Sequence, residues 1–434
     1  MKKNYFISNN ISLKKTSLLL AFLMMISITS AQIRDFKEIE ITDPICVYHP
    51  DTKPFDKSKI DNLRKSVNLT NSPCSNFVVT YVGFTPEAQA AFQHAVDIWA
   101  HIIESPVPIN VIAEFKVLGE NTLGSASPAS LNTINGVPGI DPNSWYPAAL
   151  YEKLLGQDRG EFGGSNDINA NFNSDFDFYF GIDGNPPSNK HDFVSVVLHE
   201  LGHGLGFVGF GRIDSNNEAN GAIRSNTRPL IYDNFIENSN NISILTLPDP
   251  SPELLTALTS NNLFSNSPTA ITQNGNFLPK IYAPSEFKSG SSYSHWDEDV
   301  FSAGNANSLM TPRIASGEAN HTPGDVTLGF FKDMGWSICS TLSIEEVNSA
   351  STITTWPNPF SDQITLSFSN LNSTKLNVKL IDIKGSVIFS KQLNYDGSNS
   401  ITLNNIGNLQ SGIYIISISD STSNLRFTEK IIKY

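Results

Sequence analysis

The chain has 434 residues, a formal net charge of −13 and a sequence pI near 5.0. That length predicts two or three domains, and the acidic balance, with no clustered basic stretch, excludes a nucleic-acid-binding surface. Charged residues make up only 16% while aromatics reach 10%, which excludes a disordered chain and suits an exported one.

Lys2, Lys3, Lys14 and Lys15 precede an apolar run from Leu18 to Ile28 that ends in Thr29-Ser30-Ala31. This predicts a signal peptide over residues 1–31, cleaved after Ala31. The run is too short to span a bilayer comfortably, and no other stretch is apolar enough, so no transmembrane segment is expected in the mature protein. Residues 32–76 carry scattered prolines and read as a loop-rich N-terminal extension or short propeptide. Cysteine is sparse: Cys46, Cys74 and Cys339. In an oxidising compartment Cys46 and Cys74 are the expected pair, leaving Cys339 over; the alternative is that an early thiolate caps a metal and keeps a precursor latent.

A domain is expected over 77–340. Phe77 to Val82 is β-branched and aromatic and predicts a strand. Thr85-Pro86-Glu87 then opens a helix with cap, first-turn proline and acid in order, burying Ala91, Ala95, Ile98, Trp99 and Ile102. His94 and His101 lie on or near it without a matching second ligand. Ile109 to Val117 alternates as a second strand, Tyr146 to Leu155 reads as a short helix, and Asp175 to Phe180 as a strand with one buried face. Asp175, Asp177 and Asp183 invite a calcium ion, although a polar strand face before a turn at Asp183-Gly184 is the simpler reading.

Asn189 and Asp192 then open the helix that carries the chemistry. Its sequence, VVLHELGHGLG from Val196 to Gly206, holds H-E-x-x-H. His199 and His203 stand one turn apart, so both imidazoles can reach one zinc ion. Glu200, about 100° round the helix, falls beside the open position of the metal, where it can act as general base toward water. Val194, Val197, Leu198, Leu201 and Leu205 anchor the helix in a core. Gly206 is placed to end it in a left-handed turn beneath the metal.

H-E-x-x-H-x-x-G resembles the metzincin peptidases, but their usual third histidine position is Gly209 here. Residues 212–290 are rich in Asn, Ser and Pro, with one expected helix at Pro252 to Leu258, and read as a long insertion with little regular structure. Beyond it, Ser294-His295-Trp296 and Leu309-Met310-Thr311-Pro312 resemble the leishmanolysin-like branch of the metzincins, in which an insertion separates the second and third histidines. The resemblance covers roughly 77–337. It implies His199, His203 and His295 as ligands of one catalytic Zn2+, Glu200 as base and Met310 as the Met-turn residue under the metal. His321, Glu218 and Glu237 are the competing third ligands. Gly324 to Trp336 reads as a closing helix.

Residues 341–355 are a Ser/Thr-rich linker by composition. Short alternating runs follow: Ile364 to Phe368, Leu376 to Ile381, Val387 to Leu393, Ile401 to Leu403, Tyr414 to Ile418 and Arg426 to Ile432. They predict a small β-sandwich over 356–434. Trp356-Pro357-Asn358-Pro359-Phe360, Asp382-Ile383-Lys384-Gly385 and Ser411-Gly412-Ile413-Tyr414 resemble the C-terminal sorting domains of type IX secretion cargo, which implies passage across the outer membrane. A carbohydrate-binding or adhesive sandwich is the alternative.

The fold expected is therefore α+β and metzincin-like: a mixed sheet, an active-site helix and a mainly irregular or helical lower subdomain, followed by an all-β immunoglobulin-like sandwich. The function expected is that of a secreted zinc endopeptidase acting on proteins or peptides. The rival is an adhesin or binding protein on the same scaffold that no longer cuts.

Overall fold

The computed structural model describes residues 36–41, 46–51, 55–56, 67, 69, 71–159, 166–339, 352–369, 375–382, 386–394, 400–420 and 426–434. The expected signal peptide lies outside the described residues. Among them, no helix is long and apolar enough to cross a membrane. The chain divides into two compact units, 1–339 and 340–434.

The first unit is mixed α/β. In chain order its main elements are β1 (Lys37–Glu40), β2 (Cys46–Pro50), β3 (Phe77–Val82), α1 (Pro86–Ala100), β4 (Ile109–Lys116), β5 (Gly124–Pro128), β6 (Ser130–Thr133), α2 (Ala148–Leu155), β7 (Ile168–Asn173), α3 (Phe193–Gly204), α4 (Pro252–Leu258), α5 (Pro268–Gln273), β8 (Arg313–Ile314) and α6 (Asp325–Met334). Six strands form one sheet in the order β8-β2-β5-β7-β4-β3. The β3–β4 and β4–β7 pairs are parallel, while β5 runs antiparallel to both β7 and β2.

Local chemistry explains the helices. Thr85 caps α1 by accepting from the Ala88 amide at 3.2 Å, and Pro86 occupies the first turn. Ala91, Ala95, Ile98 and Trp99 are buried on its inner face. The Trp99 indole reaches the Leu198 carbonyl at 3.0 Å and ties α1 to α3. Asp192, not Asn189, caps α3, accepting from the Ser195 amide at 2.8 Å. An N-cap acceptor must sit two or three residues before the amide it satisfies, and Asn189 is too early. Every residue of α3 is buried, so the helix runs through the core rather than along a surface.

Three further expectations change. Asp175 to Phe180 yields only a two-residue strand, Phe178–Tyr179, because the chain turns at 174–176 directly after β7, Asp175 and Phe176 donating their amides to Asn173; Asp177 pairs with Lys190 at 2.8 Å and Asp183 accepts from the Tyr179 hydroxyl. The 212–290 insertion holds α4, α5 and a three-stranded sheet of Ile236–Glu237, Leu263–Ser265 and Lys280–Ile281. Asp333 of α6 holds α5 in place by accepting from Thr269 and Ser267, a link between distant segments that composition alone does not reveal. Finally, 32–76 is not merely an extension: β2 is a strand of the main sheet, and β1 pairs with β6.

The disulfide joins Cys74 to Cys339, with Cα atoms 5.9 Å apart, and Cys46 is free and buried. The expected Cys46–Cys74 pair is thus overturned. Cys74 donates its amide to Ala100 at the end of α1, and Cys339 donates its amide to Ile102 in the next turn; Cys46 is held in the sheet opposite Ala126. The bridge closes a separation of 265 residues, so Cys339→Ser should lower stability by roughly 2–5 kcal/mol. Thermal unfolding measures the loss, and peptide mapping should find the 74–339 link intact in Cys46→Ser.

The second unit is a β-sandwich. Its strands are β9 (Thr352–Trp356), β10 (Ile364–Ser369), β11 (Lys375–Asp382), β12 (Val387–Asn394), β13 (Ser400–Leu403), β14 (Gly412–Asp420) and β15 (Arg426–Lys433). They form the sheets β9-β10-β13 and β12-β11-β14-β15. Ile364, Leu366, Leu376, Val378, Leu380, Ile416, Ile418 and Ile431 share one buried cluster, the inward residues of alternating strands. Asn358 fastens the opening segment to the last strand, donating to the Lys430 carbonyl and accepting from the Ile432 amide. Most of the expected linker and the Ile383-Lys384-Gly385 turn lie outside the described residues.

Candidate metal centre

The three expected ligands meet. His199 and His203 come from α3, and His295 comes from the loop after the insertion; all three have 0% exposure. Their Nε2 atoms stand 2.9, 3.1 and 3.3 Å from one another. Among the described residues this is the one cluster of His, Cys, Asp and Glu with metal-ligand spacing.

The other ring nitrogens settle the tautomers. Nδ1 of His199 faces the Leu309 carbonyl at 2.7 Å, that of His203 faces Phe207 at 2.7 Å and that of His295 faces Ser291 at 2.6 Å. A carbonyl can only accept, so each Nδ1 carries the proton and donates, leaving each Nε2 a bare lone pair. Three lone pairs so close cannot bond one another and repel unless a cation lies between them. Nitrogens about 2.0–2.1 Å from a tetrahedral zinc stand roughly 3.3–3.4 Å apart, close to the spacing found. Protonation is no substitute: burial pushes the His203 imidazole down to about 4 and carries His199 and His295 well below their ordinary value, and at His199 and His295 the neighbouring histidines add to the effect. The residues fit zinc.

Glu200 is equally buried, and neither carboxylate oxygen completes a hydrogen bond. Burial raises its pKa well above the carboxylate range, and the nearby amides of Ala126 and Tyr48 offset this only in part. An unpartnered buried carboxylate is costly and is the sort of group a protein keeps for chemistry. Its side chain passes over Gly124, where an added Cβ would stand 3.2 Å from Glu200 Cγ.

The glycines and Met310 complete the frame. Gly206 has φ +124° and donates its amide to His203 as α3 ends, which turns the chain toward Phe207, the residue that orients His203. Met310 lies under α3: a Cβ on Gly202 would come within 2.8 Å of its sulfur. The same turn serves two ligands, since Leu309 accepts from His199 and the Met310 carbonyl accepts from the Trp296 amide beside His295. Gly209 could not have been the third histidine, because a Cβ there would strike Tyr293 and Asp233.

The competing ligands are elsewhere. His321 bonds Asp192 at 2.8 Å, at the start of α3, about seven residues or roughly 10 Å along the helix from His199. Glu218 is exposed, and Glu237 accepts from Asn266. His101 is bonded to Asp97 and Asn71. Cys46 has its thiol by Ser294; burial and the Glu200 charge push its pKa up, and it is not among the residues grouped with ligand spacing. One neighbour escaped the sequence reading altogether. Tyr48 of β2 stacks flat on His199, ring centres 3.5 Å apart and planes 6° from parallel. Its signal, the alternation Cys46-Val47-Tyr48 in a five-residue run, was too short to read as a strand.

Residues 354–434 match the sequence family described as a secretion system C-terminal sorting domain. This module is a type IX secretion sorting domain. A sorting domain at this end of the chain implies secretion or export to the cell surface. Residues 143–264, which include α3, match a second family described as SPBPB7E8-like. Among curated proteins the chain is similar to an endo-acting ulvan lyase of Formosa agariphila, 32% identical over 84 residues, covering 19% of this chain and 15% of that protein. It is also similar to the ulvan lyase NLR42 of Nonlabens ulvanivorans, 31% identical over 98 residues, covering 22% of this chain and 17% of the relative. The chain thus spans less than a fifth of either relative. Among solved structures, a DUF3244 protein of Bacteroides vulgatus with an immunoglobulin-like β-sandwich aligns over 19% of this chain and 83% of its own, at 22% identity and TM-score 0.17. PorZ, a surface component of the type IX secretion system of Porphyromonas gingivalis, aligns over 23% of this chain and 14% of its own, at 18% identity and TM-score 0.17.

Proposed function

We propose that the chain is a secreted zinc-dependent endopeptidase of the kind its motifs resemble, the leishmanolysin-like metzincins, delivered by type IX machinery that engages the sorting domain. The observation that carries this reading is the convergence of three bare imidazole nitrogens beside the unpartnered carboxylate of Glu200. A zinc ion held by His199, His203 and His295 would supply a Lewis acid to polarise the scissile carbonyl and the attacking water. Glu200 takes a proton from that water and passes it to the leaving amine. The carbonyls of Leu309, Phe207 and Ser291 keep the three rings turned toward one point and in one tautomer. A binding protein on this scaffold would have no use for a carboxylate left without a partner at the centre, which favours hydrolysis over adhesion.

The test is made on the chain recovered from the medium of a secreting culture. It should carry about one zinc per chain and cleave casein; a chelator should abolish cleavage and added zinc restore it. Stoichiometric zinc with casein left intact would sink the peptidase reading.

A further inference from the structure

The third ligand is delivered by a strained turn. Tyr293, two residues before His295, is fully buried and has φ +76°, a left-handed backbone that is costly for an aromatic residue and persists only where its surroundings enforce it. They do so from every side. The Tyr293 amide donates to the Tyr282 carbonyl at 2.7 Å, its carbonyl accepts from the Tyr232 hydroxyl at 2.8 Å, and its own hydroxyl donates to Asp233 Oδ1 at 3.0 Å. Its ring lies against the backbone of Gly209 and Gly211, where an added Cβ would come within 2.3 and 2.5 Å of ring carbons.

Asp233 joins this turn to the end of α3. It sits fully buried in the turn Ile231–Phe235 of the insertion. Besides the Tyr293 hydroxyl, its carboxyl oxygens accept from the Leu230 amide at 2.8 Å and from the Phe210 amide at 3.1 Å. Next to that bond, the Gly209 amide donates to Ser294 Oγ at 3.1 Å. One side chain therefore clasps the chain leaving α3 to the segment that presents His295, while it is not itself grouped with the ligands.

We propose that Asp233 is a positioning residue of the metal centre: it holds Tyr293 in its left-handed conformation against the exit of α3, and thereby sets where His295 Nε2 stands relative to the two nitrogens of α3. This rests on the three-histidine zinc centre of the proposed function, and on no step of peptide hydrolysis. Released from Asp233, Tyr293 relaxes toward negative φ, and the turn carries the His295 ring away from the point that the three nitrogens share. The insertion is then more than a spacer between the second and third histidines, because it supplies the group that completes the ligand set from behind.

The experiment uses the full chain with Asp233→Asn or Tyr293→Phe, each alone and combined with His295→Ala. Asn fills the same space but replaces one acceptor oxygen by an NH2 that faces a donor, while Phe keeps the ring and loses only the hydroxyl. Zinc affinity is measured on the folded, zinc-free protein by competition with a chelator. Circular dichroism checks the fold, and the visible spectrum of the cobalt(II)-loaded protein reports the ligand geometry. Both single variants should bind zinc roughly 10–100-fold more weakly than the parent and shift the cobalt bands. In the His295→Ala background neither should weaken zinc further, because the ligand through which they act is gone. A merely structural residue would lower the thermal midpoint and leave the affinity of the folded chain as it was. Unchanged zinc affinity in either variant that folds, or an equal loss with and without His295, overturns the proposal; Tyr293→Phe decides alone if Asp233→Asn fails to fold. The expected zinc losses with no casein cleavage by any form, the parent included, uphold the positioning and remove the peptidase reading.

Discussion

Glu200→Gln should leave zinc bound and reduce casein cleavage by roughly 10²–10⁴-fold, the range attached to a positioned general base. Gln has the shape of Glu, so it fits the same space over Gly124, where Glu200 Cγ already sits close to the backbone. An amide cannot take the proton of water, and it is not one of the three converging ligands. The fold should not suffer. Burial opposes the charge on Glu200, and its oxygens complete no hydrogen bond that an amide would break. Zinc content and the thermal midpoint should therefore stay at the parent values while turnover falls. Retained turnover would contradict the role given to Glu200, and lost zinc would mean that the carboxylate helps to hold the metal.

The ligand set was legible because it depends on short spacings and on chemistry that few residue types supply. His199 and His203 follow from helical pitch, and Gly206 from the need for a left-handed residue where α3 ends. His295 came from resemblance rather than spacing, since nothing in residues 204–294 measures how far the chain travels before it returns. What stayed hidden depends on long-range pairing. β2 looked like part of a proline-rich lead-in, because five residues cannot show a period clearly and its partners, β5 and β8, lie far along the chain. The disulfide was misassigned for the same reason: nearness in sequence favoured Cys46 and Cys74, whereas the end of α1 gathers the true partners, Ala100 accepting from the Cys74 amide and Ile102 from the Cys339 amide. The sandwich was easier. Six of its strands alternate and their turns are local, so they could be read without knowing what lies across the sheet; Thr352–Thr355 of β9, read as linker, were missed.

His295→Ala should weaken zinc binding by more than about 100-fold, while His321→Ala should leave it unchanged. Loss of an outer-shell partner alone commonly costs 10–100-fold in metal affinity, and His295 supplies one of only three nitrogens here. Its removal leaves His199 and His203, both from α3, with no ligand from the far side of the insertion. The backbone around it should hold, because the Trp296 and Tyr282 amides bond main-chain carbonyls of Met310 and His295 that the substitution keeps. His321 is the matched control. It is also a histidine near α3, but its Nε2 is committed to the buried carboxylate of Asp192, so its loss should cost roughly 1–3 kcal/mol of stability and no zinc. Zinc per chain after dialysis against a weak chelator reads both variants at once. If His321→Ala lost its zinc and His295→Ala kept it, α3 would have to be completed from its N-terminal end, and the converging nitrogens would not be the metal site.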